Sequence, residues 1–183
     1  MIINMQKEKK PAIFLDRDGV LTKEKGYICS VKELDIYSYS SECVSKIKEK
    51  GYYAIVITNQ SGVARGLFSE KTLNEIHTYL IRETGVDGVY YCPHHPEGKI
   101  VDYSVICRCR KPETELLERA CEDFSIDLVN SYMVGDRASD IKLGQKKGIK
   151  TVLLETGYGT ARMEENVQPD YILQDLREFA EML

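Results

Sequence analysis

The sequence predicts an α/β fold, a three-layer sandwich whose central sheet is parallel. Apolar, β-branched runs alternate with amphipathic segments along most of the chain, and three of the runs are followed by Asp16, Asn59 and Gly135. No internal repeat, low-complexity stretch or Pro/Gly/Ser linker interrupts the 183 residues. With 43% hydrophobic and 30% charged residues the chain is globular in composition, neither disordered nor membranous. Strands alternating with helices at this pace form βαβ units with right-handed crossovers. The length suits one domain over residues 1–183, large enough to bury a core without staples.

Each element has its own signal. Ala12, Ile13, Phe14 and Leu15 form a short apolar run that ends in charge. Residues 41–50 carry Val44, Ile47 and Lys48 at helical spacing and stop at Gly51, a natural C-cap. Residues 53–58 are a β-branched run of the kind buried on both faces of a parallel sheet. Ser69 is an N-cap candidate for a helix reaching about residue 83. Strands are expected at 86–91, 131–134 and 150–154, and helices at 116–124 and 138–147, the latter ending at Gly148. The stretch 92–109 has no period and breaks the alternation.

Composition excludes several classes of partner. Lys and Arg number 25 against 29 Asp and Glu, a net charge of −4, which disfavours a nucleic-acid partner. Residues 1–10 hold only the short apolar run Met1-Ile2-Ile3 before a charged run, and no signal-peptide core follows. No apolar stretch approaches the ~20 residues that span a bilayer. A cytoplasmic monomer is expected, in a compartment where clustered cysteines read as metal ligands before disulfides.

In open α/β sheets, functional groups gather just beyond the carboxyl ends of the strands. Those positions here hold Asp16 and Asp18, then Thr58, Asn59, Gln60 and Ser61, then Asp136 with Asp140 one helical turn on, while Lys111 precedes a helix. Carboxylates sharing a crevice repel unless a cation neutralises them, and all-oxygen ligation suits Mg²⁺. A divalent ion beside a carboxylate left free as nucleophile is a setting for phosphoryl transfer. Thr58 and Lys111 would hold the other phosphoryl oxygens. Asp18 needs the turn supplied by Gly19 to swing round as acid and base. Read singly, each residue could be a cap, a strand terminus or a solvated lysine.

Taken together, Asp16-x-Asp18-Gly19-Val20, Thr58, Lys111 and Asp136 with Asp140 resemble the four motifs of the haloacid dehalogenase (HAD) superfamily of phosphatases, in order, over residues 12–157. The resemblance implies a Rossmann-like HAD core and an aspartyl-phosphate on Asp16. It implies that Asp18 protonates the leaving oxygen and then activates water. Mg²⁺ would be held by Asp16, the Asp18 backbone carbonyl and Asp136, with Asp140 behind them orienting Lys111 or a metal-bound water.

Cys92, His94, Cys107 and Cys109 offer three sulfurs and one imidazole, a closed tetrahedral Zn²⁺ set. His95 competes with His94, which is preferred because alternation puts it on the same side as Cys92. Four protein ligands leave no open position, so the zinc is expected to be structural, fixing the loop 92–109. Ordinary buried thiols are the rival reading. Cys29, Cys43 and Cys121 are read as small apolar residues or free thiols, and His77 as a surface or groove histidine.

With the loop included, the runs 58–66, 90–96 and 107–112 resemble the heptose 1,7-bisphosphate 7-phosphatase family, with histidinol-phosphate phosphatases as close relatives. That resemblance implies a core without a large cap, serving heptose synthesis for lipopolysaccharide or surface glycans. It implies a sugar bisphosphate held by Glu24, Lys25, Gly26, Tyr27, Thr58, Asn59, Gln60, Ser61, Arg110, Lys111 and Arg137. Arg137 stands where the family often has Lys, and Glu113-Thr114-Glu115 where it often has His-Pro-Gly. Arg65, Arg110 and Arg137 are more cations than one phosphoryl group needs, and arginine suits a second phosphate. Histidinol phosphate, with its cationic amine, would rather meet acids. From another class, a phospho-receiver module would also use an acidic cluster, a hydroxyl and a Lys; the carboxylate at +2 from Asp16 argues for turnover instead.

Overall fold

The computed structural model describes residues 9–183; the N-terminal run read over residues 1–10 lies, up to residue 8, outside the described residues. Among the described residues six strands and five α-helices follow one another: β1 (Lys10–Leu15), α1 (Ser40–Glu49), β2 (Tyr53–Asn59), α2 (Glu70–Thr84), β3 (Gly88–Cys92), α3 (Glu115–Asp123), β4 (Ile126–Gly135), α4 (Ala138–Lys147), β5 (Lys150–Leu154), β6 (Tyr171–Leu173) and α5 (Leu176–Met182). The strands pair in parallel in the order β3-β2-β1-β4-β5-β6. From β1 the chain winds outward to β3, then crosses back to β4 and winds outward to β6. The two directions part between β1 and β4, the topological switch point where open sheets bind ligands.

Alternation along β1 builds the layers. Ile13 and Leu15 pack with Val44 and Ile47 of α1, Ile76 and Leu80 of α2, and Leu176 and Phe179 of α5. Ala12 and Phe14 face the other way, onto Leu116 and Leu117 of α3 and Leu143 of α4. These side chains are sealed from solvent, worth about 1.5–3 kcal/mol for each large one. This is the three-layer sandwich with a parallel sheet that the sequence predicts. No large cap domain interrupts it; the irregular stretch after β3 lies over the carboxyl ends of the strands.

Three departures have local causes. β4 begins at Ile126, not residue 131, because its pairing with β1 is broken by a bulge: Pro11 pairs with Asp127 and Ile13 with Tyr132. The extra residues are folded back by Asp127, whose carboxylate accepts from Val129 N and Asn130 Nδ2. Ser131 Oγ fills the gap by accepting from Ala12 N at 2.9 Å. β3 starts two residues later than expected, at Gly88. Beyond residue 157, β6 and α5 were not expected; α5 opens on Asp175, whose side chain caps Arg177 N and Glu178 N.

Candidate active site and metal cluster

Asp16 and Asp136 each stand one residue past their strands, side by side because Asp16 N donates to Val134 O across the β1–β4 pairing at 2.9 Å. Thr58 is the last residue but one of β2 and is buried. Lys111 enters from the irregular stretch, with Nζ 2.9 Å from Asp16 Oδ2 and 2.6 Å from Asp140 Oδ1, and donating to Ile57 O at 2.8 Å. Its backbone is clasped by Asn59, which accepts from Lys111 N at 2.9 Å and donates to Lys111 O at 3.1 Å. Asn59, expected to meet substrate, thus lines the crevice while its amide positions the lysine. Burial pushes the Lys111 ammonium down, but the charges of Asp140 and Asp16 hold it above the ordinary lysine value.

Asp18 lies against a different set of groups. Arg17 Nη2 donates to it at 2.9 Å, Thr22 Oγ1 at 3.0 Å and Gln60 Nε2 at 3.1 Å. Burial pushes this carboxyl up, yet the Arg17 guanidinium and these hydrogen bonds bring it below the usual carboxylate range. Gln60 also donates to Thr58 Oγ1 at 3.0 Å, tying the second strand end to Asp18. The turn that separates the two carboxylates depends on Gly19, with φ +80° and its Cα so near Asp136 that a Cβ would sit 2.4 Å from Oδ2.

The expectation for His77 is corrected. It is 4% exposed, and its Nε2 lies 3.3 Å from Nη1 of Arg17, itself 1% exposed. A buried guanidinium turned inward behind Asp18 needs a polar neighbour there, and α2 supplies it. Burial and the Arg17 charge push the His77 imidazole down to about 3, so it stays neutral.

Oxygens of Asp16, Asp136 and Asp140 lie within 4.8 Å of one another. With Lys111 the only ammonium among them, two negative charges remain, which one divalent cation would match. Asp136 Oδ2 accepts from Tyr158 N at 2.9 Å, whereas its buried Oδ1 has no hydrogen-bond partner. A buried carboxylate oxygen left over beside two more carboxylates fits a hard cation. Asp136 is pushed up to about 8 by burial and then by the charges of Asp16 and Asp140.

The crevice encloses about 330 Å³ and is lined by Asp16, Asp18, Glu24, Gly26, Tyr27, Thr58, Asn59, Gln60, Ser61, Arg65, Arg110, Lys111 and Arg137. Lys25 is not on its wall; it pairs with Asp35 at 2.8 Å. Three lining residues were missed: His95, Ser139 and Tyr158. Tyr158 follows the end of β5, so the same strand-end rule would have found it. Arg137 pairs with Glu24 Oε2 at 2.8 Å and stacks 4.1 Å over the Tyr158 ring.

Above the sheet, Cys92, His94, Cys107 and Cys109 converge. Cys109 Sγ lies 3.1 Å from Cys92 Sγ and 3.4 Å from Cys107 Sγ, Cys92 Sγ lies 3.5 Å from Cys107 Sγ, and His94 Nδ1 is 3.2 Å from Cys109 and 3.8 Å from Cys92. Zinc–sulfur bonds of about 2.3 Å set sulfurs about 3.8 Å apart in a tetrahedron, so the donor set fits one zinc ion. All three cysteines are free thiols. His95 points away from them and its Nε2 lies 3.3 Å from Arg65. Outside the cluster, Cys43 is buried in the core and Cys121 packs at the edge of the other layer.

Comparison with known proteins matches residues 108–179 to a HAD-hydrolase-like family model. Curated relatives include the D-glycero-alpha-D-manno-heptose-1,7-bisphosphate 7-phosphatase of Photorhabdus laumondii, 40% identical over 171 residues, spanning 88% of this chain and 92% of the relative. The D-glycero-beta-D-manno-heptose-1,7-bisphosphate 7-phosphatase of Haemophilus ducreyi is 39% identical over 175 residues, spanning 91% and 94%. Among solved structures, the D,D-heptose 1,7-bisphosphate phosphatase of B. bronchiseptica, complexed with magnesium and phosphate, superposes with a TM-score of 0.81 at 29% identity, covering 94% of this chain and 97% of the other.

Proposed function

Because this chain belongs to the D-glycero-D-manno-heptose 1,7-bisphosphate 7-phosphatase family of HAD-like hydrolases, we propose that it removes the 7-phosphate of that sugar bisphosphate through an aspartyl-phosphate on Asp16. The observation that carries the reading is the arrangement at the switch point: a strand-end carboxylate held 2.9 Å from a buried ammonium, beside a second carboxylate with a buried oxygen that accepts no hydrogen bond. Relatives at 36–40% identity favour a heptose bisphosphate over histidinol phosphate and over a receiver module.

Asp16, Asp136 and the Asp18 carbonyl would hold Mg²⁺, which when bound would polarise a phosphoryl oxygen and offset the charge of the carboxylates. An Asp16 oxygen attacks phosphorus while the bond to the sugar O7 breaks, and Asp18 gives that oxygen its proton. Lys111 and Thr58 hold the remaining oxygens as charge spreads over them. In the second half-reaction Asp18, again a carboxylate, takes a proton from the attacking water and the Asp16–phosphorus bond breaks. The Arg17 contact favours the charged form of Asp18, so it must loosen in the first half, when that carboxyl carries the proton. Asp140 keeps Lys111 protonated and aimed. The cysteine cluster would hold a structural Zn²⁺ that takes no part in the bonds that change.

Turnover of both heptose 1,7-bisphosphate anomers and of histidinol phosphate tests the assignment. One heptose bisphosphate should exceed histidinol phosphate in kcat/KM by about a hundredfold or more. The reverse order would overturn it.

A further inference from the structure

We infer that residues 156–159, the loop that follows β5, are the positioning device of the cation site. They turn Asp136 so that its Oδ1 is left for the cation, and they tie the turn at Asp18 and Gly19 to the same carboxylate. Thr156 and Gly157 carry the role, and neither lines the crevice. The inference deepens the reading above and rests on its Mg²⁺ site.

The grip begins with the backbone. Tyr158 N donates to Asp136 Oδ2 at 2.9 Å and Gly159 N donates to Asp136 O at 3.0 Å, so two successive amides hold the carboxylate and the main chain of one residue. Of the two carboxylate oxygens, that leaves the buried Oδ1 without a donor. The bonded oxygen is also boxed in by shape. A Cβ on Gly157 would overlap Oδ2, and a Cβ on Gly19, which approaches from the β1 side of the switch point, would overlap it too. Two glycines far apart in sequence therefore close on one oxygen. A carboxylate packed this tightly has little room to exchange Oδ2 for Oδ1. Partners of this kind, one step removed from the metal, fix which ligand atom the metal meets.

Thr156 joins this grip to the acid–base turn. Its Oγ1 donates to Gly19 O at 2.5 Å, while Gly19 N donates to Thr22 O at 2.7 Å. The peptide planes on both sides of Gly19 are thereby held, and one of them carries the Asp18 carbonyl assigned to the cation. Tyr37 OH donates to Thr156 O at 3.0 Å, which anchors the loop from the segment before α1 as well. A tether that served stability alone would not need both grips to converge on one carboxylate and the turn beside it. The convergence makes sense if the distance between the Asp136 oxygen and the Asp18 carbonyl matters, as it does for two ligands of one small cation with strict geometry.

Calorimetric titration with Mg²⁺ alone, on protein dialysed free of that ion, tests this without any turnover. Thr156→Val keeps the shape of the side chain and loses its donor, and should weaken Mg²⁺ binding about tenfold, as loss of a partner behind a metal ligand does. Thr156→Ser, which still donates, should restore the wild-type affinity. Gly157→Ala pushes on Oδ2 itself and should cost more, about a hundredfold. The Thr156 pair decides the matter even where Gly157→Ala does not fold. A melt of the same proteins without Mg²⁺ separates positioning from plain stability. A Thr156→Val protein with a lowered Tm and unchanged Mg²⁺ affinity would overturn the inference, and so would equal weakening in Thr156→Ser. A wild type that takes up no Mg²⁺ would overturn the cation reading, and this inference with it; a wild type that binds Mg²⁺ no better than Thr156→Val would overturn this inference alone.

Discussion

Asp16 and Asp136 stand one residue beyond parallel strands whose backbones are tied at 2.9 Å; Asp16 pairs with Lys111, and burial pushes Asp136 up. Cys92, His94, Cys107 and Cys109 come instead from the end of β3 and a stretch whose only regular piece is one 3-10 turn, Val101–Tyr103. In the first region the sheet makes the site, and a cation would complete its charge. In the second a metal would make the structure, since an irregular loop of this length has little else to offset its ordering entropy. Tyr91 and Tyr103 do add tethers, both donating to Glu70 of α2 at 2.8 Å. The lesson is that the two regions should fail differently: chemistry first in one, stability first in the other.

The largest expected break is at Asp16. Asp16→Asn should leave the fold intact while lowering kcat by about 10⁴-fold or more, as nucleophile removal does, measured by phosphate release beside a thermal melt. Lys111→Met should act on both axes. It leaves Asp140 and Asp16 buried without their cation, a loss of about 3–5 kcal/mol in denaturant unfolding, and should cost about 10²–10³ in kcat. A Lys111→Met enzyme of unaltered stability would contradict the buried-charge account. Cys107→Ser, or removal of zinc by a chelator, should lower Tm by several degrees and release about one zinc per chain, with kcat changed less than about threefold. Lost activity at unchanged Tm would contradict the structural role.

The smallest effect is a matter of pH. Asp136 takes up its proton more readily folded than unfolded, because burial and the Asp16 and Asp140 charges push it from 3.8 to about 8. Without metal its contribution to stability is therefore present at low pH and lost as pH rises through that range. Mg²⁺ needs the ionised form, so the Mg²⁺-induced rise in Tm should grow over the same interval. A rise in Tm independent of pH would show that Asp136 is not the ligand.

Much of this comparison was legible beforehand, and the reasons differ by region. The strand-end rule located Asp16, Thr58 and Asp136 because a parallel sheet places those positions together whatever the loops do. Cysteine and histidine spacing found the cluster because few other arrangements bring three thiols and an imidazole into one loop. What escaped depends on contacts between distant elements. β6 is three residues at the sheet edge with Ile172 exposed, too short for any period to show. Arg17 and His77 are 60 positions apart, and nothing local says that one turns inward to meet the other. The sequence offers His95 only as a rival ligand, and its tautomer depends on a contact within the folded loop, Glu97 N donating to Nδ1.

The most direct measurement is to catch the phosphoryl group on the protein. Enzyme mixed with heptose bisphosphate and Mg²⁺, quenched in acid within one turnover and reduced with borohydride, should carry homoserine in place of aspartate at position 16, the mark of an esterified carboxylate. An enzyme that turns over freely yet keeps its aspartate there, or carries the mark at another residue, would contradict the account.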